Sequence, residues 1–411
     1  MRRAWAAVPV VLALAAADPA WAQGLHVEGG VMAVGVVTRA SPMPYDRTIT
    51  EASLIEPMAM MMARWRALSF TGVLNFEGWT IPHGEISPGI WGEGYDDRRH
   101  PHTLFHEMIL SLTGGVAPGV RASLSAGKGF APYGTDDPMN RPALLYPVNH
   151  HWSQVMERAV LIGGVQSGRV TLEGGLFNGD EPVGPFSWPV IRGRFGDSWS
   201  ARALVRAARG VEVQVSHASV KSPEYRYPPA GPTHDKWSAS ARYERPTATG
   251  HAYAMVEWAR NSELSGTYVY YTALVDAELL RNRQRPYLRL ERTDRPEEDR
   301  LLDPFRSQRP SLENSILGIS RWWIATAGYG YRLRATGIRL EPLAEVSLAH
   351  VVMVTPGTVF TPQQHFGGDN ILTLSLAIRI GAGMPMHRMG RYGVLADQGE
   401  PMAMGANRMG E

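Results

Sequence analysis

From Ser198 to Val220 the chain alternates between apolar and polar positions. Trp199, Ala201, Ala203 and Val205 alternate with Ser200, Arg202, Leu204 and Arg206. After a turn at Arg209-Gly210, Val211, Val213 and Val215 alternate with Glu212, Gln214 and Ser216. A period of two predicts strands. One face of this hairpin is apolar and the other carries both signs of charge. A soluble sandwich would present these faces as core and solvent, and a barrel in lipid as outside and lumen.

The same period recurs along the chain and predicts about sixteen strands, each near the ten residues that a tilted membrane strand needs. The first two lie at Gly29 to Thr38 and Ser53 to Met62. The last, Ile371 to Ile380, sets Leu372, Leu374, Leu376, Ile378 and Ile380 against Thr373, Ser375, Ala377 and Arg379. The connections alternate in length: Ala63 to Ala67, Thr113 to Pro118, Gln166 to Gly168 and Ala208 to Gly210 are short. Thr80 to His102, Phe130 to Gln154, Gly179 to Asp197 and Asp294 to Arg321 are long. A soluble sandwich has no reason to sort its loops in this way. The pattern predicts an all-β fold: a single antiparallel transmembrane β-barrel with short periplasmic turns and long extracellular loops. If the N-terminal pair or weaker later strands stay out of the membrane, the count falls to about twelve or fourteen.

Tryptophan placement agrees with a barrel, which carries aromatic residues at the lipid–water boundary. Trp79, Trp199, Trp237, Trp258 and Trp322 fall at the long-loop ends of predicted strands. Of these, Trp199, Trp237 and Trp258 are in phase with the apolar face, whereas Trp79 and Trp322 are out of phase. The opposite faces carry Glu173, Arg202, Arg206, Glu212, Arg242, Glu244, Glu257, Asp276, Glu278, Arg289, Glu291, Arg332, Arg339, Glu341, Glu345 and Arg379. An Arg or Lys facing lipid near the midplane costs roughly 2 to 4 kcal/mol, so these side chains are expected to line a polar lumen.

Composition narrows the setting. Arg2 and Arg3, the apolar run Ala4 to Ala17 and the small-x-small site Ala20-Trp21-Ala22 predict a signal peptide over residues 1–22. The barrel is then expected over 23–381, and 382–411 as a Met-rich, disordered periplasmic tail. There is no cysteine among the 411 residues, so an exported chain must hold together without disulfides, and thiolate chemistry is absent. With 41 Lys and Arg against 39 Asp and Glu, net charge implies no nucleic acid or other polyanion.

Several stretches resemble a porin-like family of bacterial outer-membrane β-barrel proteins. They are Asp97-Arg98-Arg99-His100-Pro101-His102-Thr103-Leu104-Phe105 with Glu107, then His150-His151-Trp152, then Leu172 through Pro182, and the run from Trp199 through His217. The resemblance spans much of residues 95–260. It implies a barrel in the outer membrane, with lipid as its surroundings, and brings no substrate. One departure stands out. Many barrels end on an aromatic assembly signal, whereas this chain continues past Ile380 to Glu411.

The sharpest candidate chemistry is a histidine group. Asp96, Asp97, His100 and His102 close one long loop and His150 with His151 closes the next. The strands they enter are separated by one other, about 10 Å at the usual strand spacing. Imidazoles from both loops, with Asp97 as the carboxylate, are therefore a candidate site for a divalent transition ion, copper first. No spacing here matches a zinc signature, and the alternative is that these histidines only pack the rim. His106 and Glu107 are expected on opposite faces of their strand. Methionines cluster at Met58 and Met60 to Met62, which reads as apolar filler, and again at Met384, Met386, Met389, Met402 and Met404. The third external loop, Phe130 to Gln154, carries Asp136, Asp137, Asn140 and Arg141 beside Leu144 and Tyr146. It is expected either to fold into the barrel or to cap its rim.

The functional expectation is a non-enzymatic, porin-like channel without a required cofactor, for passive passage of small polar solutes or ions. A copper-type metal-binding or transport-associated barrel is the alternative, and an outer-membrane hydrolase the second. No serine sits in a nucleophile motif.

Overall fold

A computed structural model describes residues 24–398 except 44–45, 87–97, 100, 136–138, 140, 149, 181, 183, 189–192, 222–232, 264–265, 267, 297–318, 334–336 and 357–359. The expected signal peptide therefore lies outside the described residues. Eighteen strands follow in chain order: β1 (His26–Met43), β2 (Arg47–Trp65), β3 (Leu68–Asn75), β4 (Glu85–Ile86), β5 (Arg98–Arg99), β6 (Phe105–Ala117), β7 (Val120–Gly129), β8 (Arg158–Ser167) and β9 (Val170–Phe177). The second half comprises β10 (Ser198–Ala208), β11 (Val211–Lys221), β12 (Thr233–Thr247), β13 (Gly250–Glu263), β14 (Tyr268–Arg281), β15 (Gln284–Pro296), β16 (Ile319–Tyr331), β17 (Ile338–Thr355) and β18 (Asn370–Gly383).

All but β4 and β5, which pair with each other inside a long loop, form one closed antiparallel barrel of sixteen strands. Each wall strand pairs with its sequence neighbours, and β18 closes on β1 from Ser41 opposite Leu372 to Gly30 opposite Gly383. Closure leaves no strand edge unpaired, the condition for crossing a bilayer with strands. At the short-turn end the hairpins close through left-handed residues such as Gly168 (φ 55°), Gly210 (φ 76°) and Asn282 (φ 56°), as two-residue hairpin turns require.

The two faces of the wall follow the alternation. Leu372, Leu374, Leu376, Ile378 and Ile380 are exposed on the outside of β18 while Thr373, Ser375 and Arg379 are buried. Trp199, Trp237 and Trp258 also lie outside. Trp322 is turned inward and fully buried, with Phe366 edge-on at 5.5 Å, and its neighbour Trp323 takes the outward position. Trp79 is not on a strand, because β3 ends at Asn75 and residues Glu77–Thr80 form a helical turn. Opposite charges sit in register across neighbouring strands: Glu173 faces Arg202, Glu212 faces Arg242, Asp276 faces Arg289 and Glu341 faces Arg379. Such cross-strand pairs favour this register over a slip by one residue, which would turn every charge towards lipid.

The tail corrects an expectation. Residues 382 and 383 complete β18, and the chain from Met384 to Gln398 lies inside the barrel, ending in a 3-10 turn at Gly393–Gln398. Met386, Met389, Tyr392, Val394 and Leu395 are all buried. These apolar side chains find their partners on the inner wall and the inward loop, in residues distant along the chain, which a local reading of composition does not register. Residues 399–411 lie outside the described residues.

Candidate functional site

The lumen is crossed by two segments, one tethered at each end of the barrel. The first is the loop between β7 and β8, which folds inward. Gly134 N donates to Ser216 Oγ (2.9 Å), and Thr135 Oγ1 donates to Ser240 Oγ (2.7 Å). Farther along, Arg141 Nη2 reaches both carboxylate oxygens of Glu257 at 3.2 Å, and Leu144 N donates to Glu345 Oε2 (2.7 Å). Val148 N donates to Glu291 Oε2 (2.8 Å). In return, Arg285 and Arg289 donate to the carbonyls of Pro142 (3.2 Å) and Leu145 (2.6 Å). The loop thus runs from β7 to the far wall at β15 and β17, its main chain satisfied by charged lumen side chains, as a buried loop requires. Asp136, Asp137 and Asn140 lie outside the described residues.

The second segment is the tail. Glu107 Oε2 accepts from His387 Nε2 (2.7 Å), and Glu107 Oε1 from Gly390 N (2.9 Å) and Tyr392 Oη (2.6 Å). Burial and the neighbouring Glu107 carboxylate together push the Tyr392 hydroxyl well above the ordinary tyrosine range, so it stays a donor. The Glu212 carboxylate holds Arg388 (3.0 Å) and Arg391. The two segments also touch. Phe130 N donates to Tyr392 Oη (3.0 Å), and the Arg202 guanidinium donates to Gly134 O in the loop (3.2 Å) and Gly390 O in the tail (3.0 Å).

Of the other sequence-predicted lumen residues, Glu173 is bound by Arg202 (2.7 Å) and Asp276 by Arg289 (2.7 Å), both pairs buried. Arg242 pairs with Glu244, and His251 also reaches Glu244 (3.2 Å). Arg285 bonds Glu278 (2.7 Å) and Glu341 (2.5 Å), and Arg332 bonds Glu341 (3.2 Å). Arg379 stands 4.0 Å from Glu341. Arg206 and Arg339 are only half-buried near the short-turn end, donating to the carbonyls of Gly168 (3.1 Å) and Gly383 (2.6 Å).

His106 and Glu107 are both fully buried, contrary to the expectation of opposite faces. The pairing of β3 with β6 slips between Val73, opposite Glu107, and Leu74, opposite Phe105. His106 is the extra residue of this β-bulge, which turns two successive side chains inward. Its Nδ1 lies 2.8 Å from Glu157 Oε1, which also accepts from Thr103 N (2.9 Å). Burial alone would raise the Glu157 carboxyl. The ammonium of Lys128 and then His106 outweigh it and hold Glu157 well below the ordinary carboxylate range.

Asp97 and His100 lie outside the described residues. His102 and His150 both lie against the Tyr146 ring, whose centroid is 5.6 Å from the first and 5.9 Å from the second, and the His151 ring is tilted against that of His150 at 4.1 Å. His102 Nδ1 is taken by Glu77 (3.0 Å) and His150 Nδ1 by Pro147 O (3.1 Å). Among the described residues no three ligating side chains form a metal-ready group.

A closed sixteen-strand wall, apolar outside and carrying buried charges inside, with a loop folded into the lumen, is the architecture of an outer-membrane β-barrel. Comparison with solved structures agrees on the fold. An anion-selective porin from Comamonas acidovorans superposes with a TM-score of 0.52 at 9% identity, covering 87% of this chain and 100% of that one. A loop-deletion mutant of OmpT, an outer membrane protein of Vibrio cholerae, gives 0.49 at 8% identity over 87% and 100% of the two chains. OccK2 (OpdF) of Pseudomonas aeruginosa gives 0.41 at 11% over 88% and 99%. No family model and no curated protein matches the sequence.

Proposed function

We propose that the protein is a passive outer-membrane channel for small polar solutes, with the inward loop Phe130 to Gln154 setting the width of the path. The observation that carries this reading is the interior itself. From β9 round to β18 charged side chains recur on it, paired in register across neighbouring strands, beside apolar clusters such as Trp322, Ile324 and Val351. Water and polar solutes are the matter such a surface accommodates. Around Glu278 and Glu341 stand Arg285, Arg332, Arg339 and Arg379, an excess of guanidinium that favours anions over cations. Conductance in planar bilayers tests the reading, and the reversal potential in a salt gradient reports the sign. Absence of conductance from an intact barrel, with the tail released as described below, rejects the proposal.

A second reading is motivated by His102 and His150 both packing against the Tyr146 ring. A carboxylate or carbonyl on Nδ1 orients the other ring nitrogen as a ligand, and both rings have such a partner. Calorimetry with copper, nickel and zinc on the refolded barrel, repeated on His102→Ala/His150→Ala, checks it. Heat that survives in the variant, or none in the parent, removes the site.

A further inference from the structure

The tail leaves the wall where β18 meets β1: Met384 N donates to Gly29 O (2.8 Å) and Arg339 Nη2 to Met384 O (3.1 Å). Seven residues later Arg391, with Arg388, grips Glu212 on β11, halfway round the ring from β1. Seven extended residues reach at most about 25 Å, and an arginine side chain adds to that, so the segment is drawn across the full width of the lumen. Along this span His387, Gly390 and Tyr392 bond Glu107 on β6, and the 3-10 turn that follows is seated against β7 and β8, where Val394 N donates to Ser123 Oγ (3.0 Å).

Its attachments differ in kind from those of the wall. Past Met384 it forms no strand ladder; it is held by side-chain carboxylates and by apolar contacts of Met386, Met389 and Tyr392. Being joined to the barrel only through Gly383, it can leave the lumen at the short-turn end without unpairing any strand.

We propose that residues 384–398 are a tethered plug that closes the channel from the periplasmic side, latched by Glu107 and Glu212, and that conduction requires its displacement. The proposal rests on the channel reading above. It accounts for a C-terminal segment continuing past the last strand and for two lumen carboxylates whose hydrogen-bond partners among the described residues come from that segment: His387, Gly390 and Tyr392 on Glu107, Arg388 and Arg391 on Glu212.

The absence of cysteine gives a direct test. A Cβ placed on Gly164 of β8 would stand 3.0 Å from Val394 Cγ2, so Gly164→Cys/Val394→Cys brings two thiols within bridging range. The expected result is a conductance lower by roughly tenfold or more in the oxidised protein, restored by reductant in the same membrane. A second variant, Arg388→Ala/Arg391→Ala, removes the Glu212 latch and is expected to raise the open fraction several-fold over the parent. Equal currents from oxidised and reduced protein, with the cross-link confirmed by mass, overturn the plug and leave the channel reading standing. So does failure of the pair to cross-link in a folded barrel, since the tail is then not seated on β8. Silence of the parent, the reduced pair and the latch variant alike rejects the channel reading, and the plug with it.

Discussion

The inner wall has two unlike sectors. Over β1 to β3 it is apolar: Met32, Val34, Val36, Ile55, Met58, Met60 and Val73 are buried there in one cluster with Leu144 and Tyr146 of the loop and Met386 and Met389 of the tail. The ionic sector runs from β9 to β18, where buried charges recur on most wall strands among apolar side chains such as Trp322 and Val351, and the same loop is held there by Glu257, Glu291, Glu345, Arg285 and Arg289. The apolar sector therefore gives the two crossing segments somewhere to pack, and the ionic sector gives the loop's main chain its hydrogen-bond partners. Hydrophobic burial is non-directional whereas buried ion pairs fail sharply when halved, so the two sectors should respond differently to substitution.

The largest effect is expected in the ionic sector. Asp276→Ala leaves Arg289 buried without the carboxylate that binds it and should cost about 3 to 5 kcal/mol, read from the urea midpoint of refolded barrel. Replacing both partners, Asp276→Leu/Arg289→Met, should recover most of that loss. In the apolar sector Met60→Ala should cost about 2 kcal/mol or more through the cavity it leaves, whereas outward-facing Met61→Ala should cost only about 0.5 kcal/mol. Equal costs at the two methionines would show that loop and tail do not pack on β2.

Acid provides a third probe. The native carboxyl of Glu157 is held below its unfolded value, so its contribution is fully present above that value, near 4.5, and is lost as pH falls through the native one. Unfolding measured from pH 7 down to pH 3 should show a loss of stability that is smaller in Glu157→Gln than in the parent. The smallest effect is expected at the rim, where Thr361 caps the turn Pro362–Phe366 with a reciprocal Gln364 contact. Thr361→Ala should cost about 1 kcal/mol, seen as faster amide exchange over that turn.

Most of the wall was legible in the sequence, because each strand faces lipid on one side and polar matter on the other, which imposes alternation residue by residue. Several strands run longer than the alternation indicates, β17 to Thr355 rather than His350, since beyond the bilayer neither face is constrained. The destinations of the loop and tail were not legible, because they depend on contacts between residues a hundred or more positions apart, such as Leu144 with Glu345 or Tyr392 with Glu107. One signal was present. From Val31 to Val37 both faces of β1 are apolar, which in a barrel means that something packs inside. The inward turn of Trp322 was legible in its being out of phase with the apolar face, whereas the bulge at His106 left no such trace, as a register slip does not change the apolar count.

Arg202 touches the loop anchored at the outer rim and the tail anchored at the inner one, and Tyr392 bonds to Phe130 beside it. Two bodies that share a side chain share a free energy. Any ligand that shifts the loop and any that shifts the tail are then thermodynamically linked, each altering the other's affinity by the same factor. Through one guanidinium, the two sides of the membrane are in communication even while nothing passes between them.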